Sequence, residues 1–146
     1  MDWSPWLPLS TSSDRWEPAV YQIRLMNDGI PFTINRLLGS DEDAIFTIGK
    51  TKNMEARRKQ FACGLEKCYG HSEANLLYLL MNYSRLRRAL SKPSVEYRFT
   101  NRETDKLAIE HEAALLRAYI VRHGELPPLN SILPDRYGEK TPWKEV

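Results

Sequence analysis

The order in which the hydrophobic period changes along this chain restricts its fold more than any other feature. From Ala19 to Met26 the residues alternate, with Tyr21, Ile23 and Leu25 on one side and Val20, Gln22 and Arg24 on the other, as in a strand. Asp28-Gly29 is a turn signal, Phe32 to Leu38 suits a second extended segment, and Gly39 to Asp43 is a polar turn before a third strand, Ala44 to Lys50. Asn53 then caps a helix running to about Ala62, with Met54, Phe61 and Leu65 on one face and Gly64 or Gly70 as its stop. Ser72 caps a second helix reaching about Leu90, where Leu76, Leu79, Leu80 and Tyr83 form the expected buried stripe and Pro93 prevents continuation. Val95 to Thr100 alternates once more. A third helix spans about Glu103 to His123 and ends at Gly124, after which Pro127-Pro128 enforces an extended path. Three strands, two helices, a strand and a helix do not alternate as a parallel α/β sheet requires. The expectation is therefore an α+β fold: a small antiparallel sheet, opening as a meander and flanked by helices.

A chain of 146 residues has material for one core. Residues 18–133 are expected to form that domain. Residues 1–17 carry Trp3, Trp6 and Trp16 without any regular period and read as an arm packed by its tryptophans, and residues 134–146 form a Pro- and charge-rich tail. No apolar run approaches the roughly 20 residues that span a bilayer, and the N-terminus lacks a basic region followed by an apolar one, so no membrane contact and a cytoplasmic location are expected. Cys63 and Cys68 are too few for a disulfide scaffold and read as reduced thiols. With His71 they make three candidate zinc ligands, one short of a structural site.

The net charge of +2 does not mark a nucleic-acid binder, but the charge is segregated. Lys50, Lys52, Arg57, Arg58 and Lys59 crowd one stretch and Arg85, Arg87, Arg88 and Lys92 another, while Asp41, Glu42 and Asp43 collect elsewhere. Such clusters suit a phosphate-facing surface or an ordinary solvated face.

Two features point to chemistry without outside help. An advance of about 100° per residue sets Glu112 beside Leu115, Leu116 and Tyr119, within the apolar side of the third helix, whereas Glu110 falls on the polar side with Arg117. A carboxylate there costs free energy unless a cation, metal or donor meets it, so Glu112 is either a functional group or half of a structural ion pair with Arg57 or Arg58. The second feature is the passage from strand to basic helix at Gly49, where backbone or ligand can approach closely and Arg57 lies about one helical turn on. No Gly-Lys-Ser/Thr pattern follows a glycine-rich run, so this is not a Walker loop.

The run Ile48-Gly49-Lys50-Thr51-Lys52-Asn53-Met54-Glu55-Ala56-Arg57 resembles the second motif of the GIY-YIG endonucleases with its following arginine. Ala19-Val20-Tyr21 resembles the first motif, keeping its tyrosine. Glu112-Ala113-Ala114-Leu115-Leu116 resembles the helix bearing that family's metal-binding glutamate, and Gly124-Glu125-Leu126-Pro127-Pro128-Leu129-Asn130 resembles its Gly-x-x-Pro-x-x-Asn closure. Together these marks span residues 19–130 in the family's order. The resemblance implies a metal-dependent phosphodiester hydrolysis: Tyr21 as general base on water, Arg57 stabilising the phosphate, Glu112 holding one Mg²⁺ or Mn²⁺ ion, and Asn130 orienting the site.

The departures set further expectations. Thr47 stands where the second motif has its tyrosine, so Lys50, Tyr69 or His71 would have to supply the missing group. Ala19 and Val20 replace the first motif's glycine and isoleucine, a milder change. The long interval between Tyr21 and Thr47 makes Asp28 to Asp43 an added hairpin, on which Arg36 would contact nucleic acid along with Lys52, Arg58 and Lys59. Double-stranded DNA is the substrate expected of a stand-alone, restriction-like member, and a homodimer suits double-strand cutting. The alternatives are a catalytically silent nucleic-acid-binding module on the same scaffold and a protein-interaction domain using the tryptophan arm and the tail.

Overall fold

A computed structural model describes residues 2–67 and 70–132 of the chain. Its elements are β1 (Leu7–Pro8), β2 (Ala19–Asn27), β3 (Ile30–Pro31), β4 (Ile34–Arg36), β5 (Gly39–Asp41), β6 (Ile45–Thr51), α1 (Met54–Lys67), α2 (Ser72–Tyr83), α3 (Leu86–Ala89), β7 (Pro93–Asn101) and α4 (Asp105–His123). The fold is α+β, with a small antiparallel sheet flanked by helices. No helix among the described residues is long and apolar enough to cross a membrane. The expected tail, residues 134–146, lies outside the described residues.

The strand with the clearest alternation, β2, is the centre of the sheet. It pairs with β7 along its whole length, from Ala19 opposite Asn101 to Asn27 opposite Pro93. Its other edge is shared: β6 covers Ala19 to Arg24 and the short β3 covers Met26 and Asn27. The expected meander is thus not formed, because β3 is too short to carry a neighbour and β6 returns to β2 itself. Alternation along β2 divides the core. Tyr21, Ile23 and Leu25 pack with Met54 and Phe61 of α1 and with Ala74 and Leu77 of α2. Val20 and Ile48 pack with Ala108, Leu116 and Tyr119 of α4 on the opposite face. Each large apolar side chain so buried contributes about 1.5–3 kcal/mol.

Two helices depart from the periodic reading. Helix α1 runs through the buried Gly64 to Lys67, since Phe61 and Leu65 on either side of it find core partners that outweigh glycine's roughly 1 kcal/mol helical penalty. The second helix is capped by His71, whose ring accepts the Ala74 N–H, and stops at Tyr83. There Ser84 Oγ donates to Leu80 O at 2.5 Å and accepts from Leu86 N at 3.1 Å, breaking the chain into the separate turn of α3. Its buried face is also not the expected one: Ala74 and Leu77 are fully buried, whereas Leu76, Leu79 and Tyr83 are exposed and only Leu80 of the expected stripe meets the core. Leucines occupy too many sides of this helix for spacing alone to choose between them.

The N-terminal arm is built into the sheet. β1 pairs with β7, and Trp6 and Trp3 stack under the guanidinium groups of Arg24, at 4.1 Å, and Arg98, at 4.7 Å. Trp16 remains exposed. Within 28–43, β4 and β5 form the expected hairpin, which is tied to the end of α4: Leu38 N–H donates to His123 O, and Arg36 pairs with Glu125 at 2.5 Å. Gly124, at φ 81°, supplies the left-handed cap that ends α4.

Candidate active site

Past the free edge of β6, between the starts of α1 and α2 and the middle of α4, opens a cavity of about 430 Å³. Its walls bring together Tyr21, Lys50, Arg57, His71, Glu112 and Asn130, six of the candidates drawn from the sequence, along with Gly49, Gln60 and Glu73. Each arrives for a local reason. Tyr21 sits opposite Gly49 in the β2–β6 register, and a Cβ built on Gly49 would stand 2.5 Å from the Tyr21 ring carbon Cζ. The missing side chain is therefore what lets the phenol lie across β6 to the cavity. Arg57 projects from the first turn of α1. Glu112 shares the buried side of α4 with Ala108, Leu116 and Tyr119, which carries its carboxylate to the cavity wall at 7 % exposure.

Asn130 closes the edge of the strand. Its amide oxygen accepts from Ile48 N at 3.0 Å and its amide nitrogen donates to Ile48 O at 2.9 Å, while Leu129 N donates to Phe46 O one register step away. Both amide functions are thus spent on backbone that would otherwise lie unpaired. Its contribution to the cavity is to hold β6 in place.

The electrostatics of the cavity centre on the phenol. Burial, and after it the neighbouring Glu73, push Tyr21 well above the ordinary tyrosine range; Glu112 adds to this, and only Arg57, which hydrogen-bonds the phenol, opposes it. Tyr21 is therefore protonated at neutral pH. Arg57 Nη1 also lies 3.1 Å from His71 Nε2, and His71 Nδ1 accepts from Ala74 N at 3.3 Å. Burial first, and the charge of Arg57 second, bring His71 down to about 4. Lys50 Nζ is held 3.1 Å from Asp105 at the rim.

Comparison with protein families, with curated proteins and with solved structures finds no match to this chain.

Among the described residues no group of three or more His, Cys, Asp or Glu side chains could hold a metal ion. The cavity nevertheless presents two carboxylates, Glu73 and Glu112. Mg²⁺ is commonly held by one or two carboxylates, with water and substrate phosphate oxygens filling its shell, so this donor set fits such an ion and does not fit a zinc cage. Cys68 and Tyr69 lie outside the described residues.

Other candidates are placed away from the cavity. Thr47 is fully buried opposite Ile23, off the cavity wall, and its hydroxyl has no hydrogen-bond partner among the described residues. Arg36, 15 % exposed, is engaged by Glu125 and by Leu126 O, and Arg58, 11 % exposed, by Glu55 and Leu9 O. Their charge is matched by these internal partners. Lys52 and Lys59 are exposed. Glu73 carries no mark in the sequence, because an acid in the first turn of a helix is ordinary helix-dipole chemistry.

The sealed hydroxyl of Thr47 carries a prediction. Thr47→Val keeps the shape and removes a buried polar atom whose desolvation costs about 1–3 kcal/mol. Denaturant unfolding is expected to show the variant more stable than the parent by about 1 kcal/mol. A loss of stability of that size would mean that the hydroxyl has a partner after all.

Proposed function

We propose that the chain is a metal-dependent endonuclease hydrolysing phosphodiester bonds in DNA, double-stranded DNA foremost, on a GIY-YIG-like scaffold. The observation that supports this reading is the meeting of Tyr21, Arg57 and Glu112 on one cavity, drawn from a strand and two helices far apart in sequence. A cation, a phenol and two carboxylates around a space of about 430 Å³ suit a phosphodiester better than an apolar ligand.

In this reading Arg57 binds a non-bridging phosphate oxygen. Arg57 lines the cavity, where its guanidinium can meet such an oxygen. His71 Nε2 lies 3.1 Å from Arg57 Nη1. Glu112, with Glu73 across the same cavity, would hold the divalent ion. Such an ion supplies Lewis-acid neutralisation of charge gathering on the phosphoryl oxygens. Arg57, the neighbour that opposes the effect of burial on the phenol of Tyr21, favours release of its proton, as a general base requires. Asn130 keeps Ile48, and with it Gly49 and the phenol's path, in register.

A second reading, a catalytically silent nucleic-acid-binding module, is favoured by one observation: Thr47, in the place of a motif tyrosine, is sealed in the core. Incubation of plasmid and linear DNA with the purified protein and Mg²⁺ or Mn²⁺ separates the two. The proposal expects cleavage that chelation abolishes and that Glu112→Ala reduces by about 10²-fold or more. Intact DNA under all these conditions, or cleavage indifferent to Glu112→Ala, would leave the silent module as the better account.

A further inference from the structure

Arg36 and Arg58 are engaged internally, but besides Lys52 and Lys59 the chain carries a second set of exposed cations. Between Glu73 and Glu96 the chain has no acidic residue and four basic ones, Arg85, Arg87, Arg88 and Lys92. All four are exposed, and none of their side chains makes an ion pair or hydrogen bond among the described residues.

Their exposure is built into the fold. Had α2 continued to Leu90, Arg85, Arg87 and Arg88 would have been dealt around the helix at about 100° per residue. The break at Ser84 instead sets α3 down on the core by its two ends, Leu86 and Leu90, both packed against the same cluster as Phe61 and Leu77. That anchoring turns the three arginines outward. The next residues are held as well: Asn27 Oδ1 accepts from Ser91 N and Lys92 N, both at 3.0 Å, and Asp28 N donates to Lys92 O at 2.9 Å. The result is a braced basic ridge rather than a row of loose side chains.

The ridge and the cavity are joined by one rigid element. Residues at the start of α2 line the cavity, and the 12 residues of the helix carry the chain about 18 Å from there to the ridge. Duplex DNA rises about 3.4 Å per base pair, so phosphates about five base pairs from one seated in the cavity would come level with the ridge.

We propose that Arg85, Arg87, Arg88 and Lys92 form the docking surface for the phosphate backbone of a DNA duplex whose scissile phosphate enters the cavity. This rests on the nuclease reading for the second half of the statement only. Charge complementarity selects the partner: four exposed cations at one end of α2, with no ion-pair partner among the described residues, meet a polymer carrying one negative charge per about 1.7 Å.

The test is binding of a labelled duplex, followed by fluorescence anisotropy across a salt titration in EDTA. Arg85→Gln/Arg87→Gln/Arg88→Gln is expected to weaken binding roughly tenfold or more and to make the slope of log K on log salt shallower by about one for each arginine–phosphate pairing removed. Lys106→Gln/Arg122→Gln, two exposed cations on α4, serves as the control for net charge and is expected to change neither. Unchanged affinity and slope in the triple variant overturn the proposal. So does a triple variant that loses binding to anionic phospholipid vesicles while holding DNA as before, which would assign the ridge to a membrane surface. Ridge-dependent DNA binding by a protein that never cleaves sustains the docking surface and rejects the nuclease reading; cleavage with no dependence on the ridge does the reverse.

Discussion

Tyr21→Phe is expected to lower the rate of DNA cleavage by about 10²–10⁴-fold, the usual contribution of a positioned general base. The substitution removes one oxygen and leaves the ring, which is 2 % exposed and packed in the core beside α1 and α2, so the fold should persist. The pH dependence separates a base from a merely structural tyrosine. Burial, Glu73 and Glu112 hold the phenol above its ordinary range, so at neutral pH only a small fraction is ionised. Cleavage by the parent protein should therefore rise with pH across the neutral and mildly alkaline range, with more of the phenolate form at each step. The residual activity of Tyr21→Phe should lack that rise. A parent profile flat above neutrality, or a variant cutting at the parent rate, would remove Tyr21 from the chemistry.

What the chain discloses before folding depends on how local each determinant is. β2, β7 and α4 are legible because each carries a strict period and a local stop: alternation around Tyr21 and Tyr97, and Gly124 after His123. Helix α2 departs from its periodic pattern in both length and facing for one physical reason, since four leucines and two tyrosines surround it and a single serine hydroxyl decides where it ends. The pairing of β1 with β7 leaves no periodic trace in two residues.

At the cavity, Arg57 and Glu112 are legible because one follows a close-approach glycine and the other is an acid on an apolar helix side. Glu73 is not, being an acid where helices ordinarily carry one. The engagement of Arg36 by Glu125 is equally hidden, since sequence shows a charge and not its partner. Thr47 and Asn130 depend on register. Alternation puts Thr47 on the face of Ile23, but only the pairing with β2 and the packing of α1 and α2 over it show that its hydroxyl is closed off from the cavity that Tyr21 reaches.

Glu55→Ala is expected to cost about 3 kcal/mol of stability, or about 10 °C in Tm for a domain of this size. The carboxylate is 3 % exposed and takes four hydrogen bonds: from Ser13 N at 2.8 Å, Ser13 Oγ at 3.0 Å, Arg58 Nε at 2.9 Å and Arg58 Nη2 at 2.6 Å. Its removal would strand the Arg58 guanidinium without its counter-ion and release the N-terminal arm, which Arg58 also grips through Leu9 O. Proton linkage gives a similar magnitude by another route. The Arg58 hydrogen bonds, aided by those from Ser13, lower Glu55 from the usual 4.5 to about 2, and each tenfold change in proton affinity corresponds to about 1.4 kcal/mol. Because the folded value is the lower one, this stability is fully present above pH 4.5 and is lost as the pH falls towards 2. His71, held at about 4 against an ordinary 6.5, acts in the same direction over a higher window, its share fading between pH 6.5 and 4. Unfolding followed by circular dichroism from pH 7 down to pH 2 should therefore show two descending steps in the parent, and only the upper one in Glu55→Ala. A variant as stable as the parent at pH 7 would mean that the arm is held by β1 and its tryptophans alone.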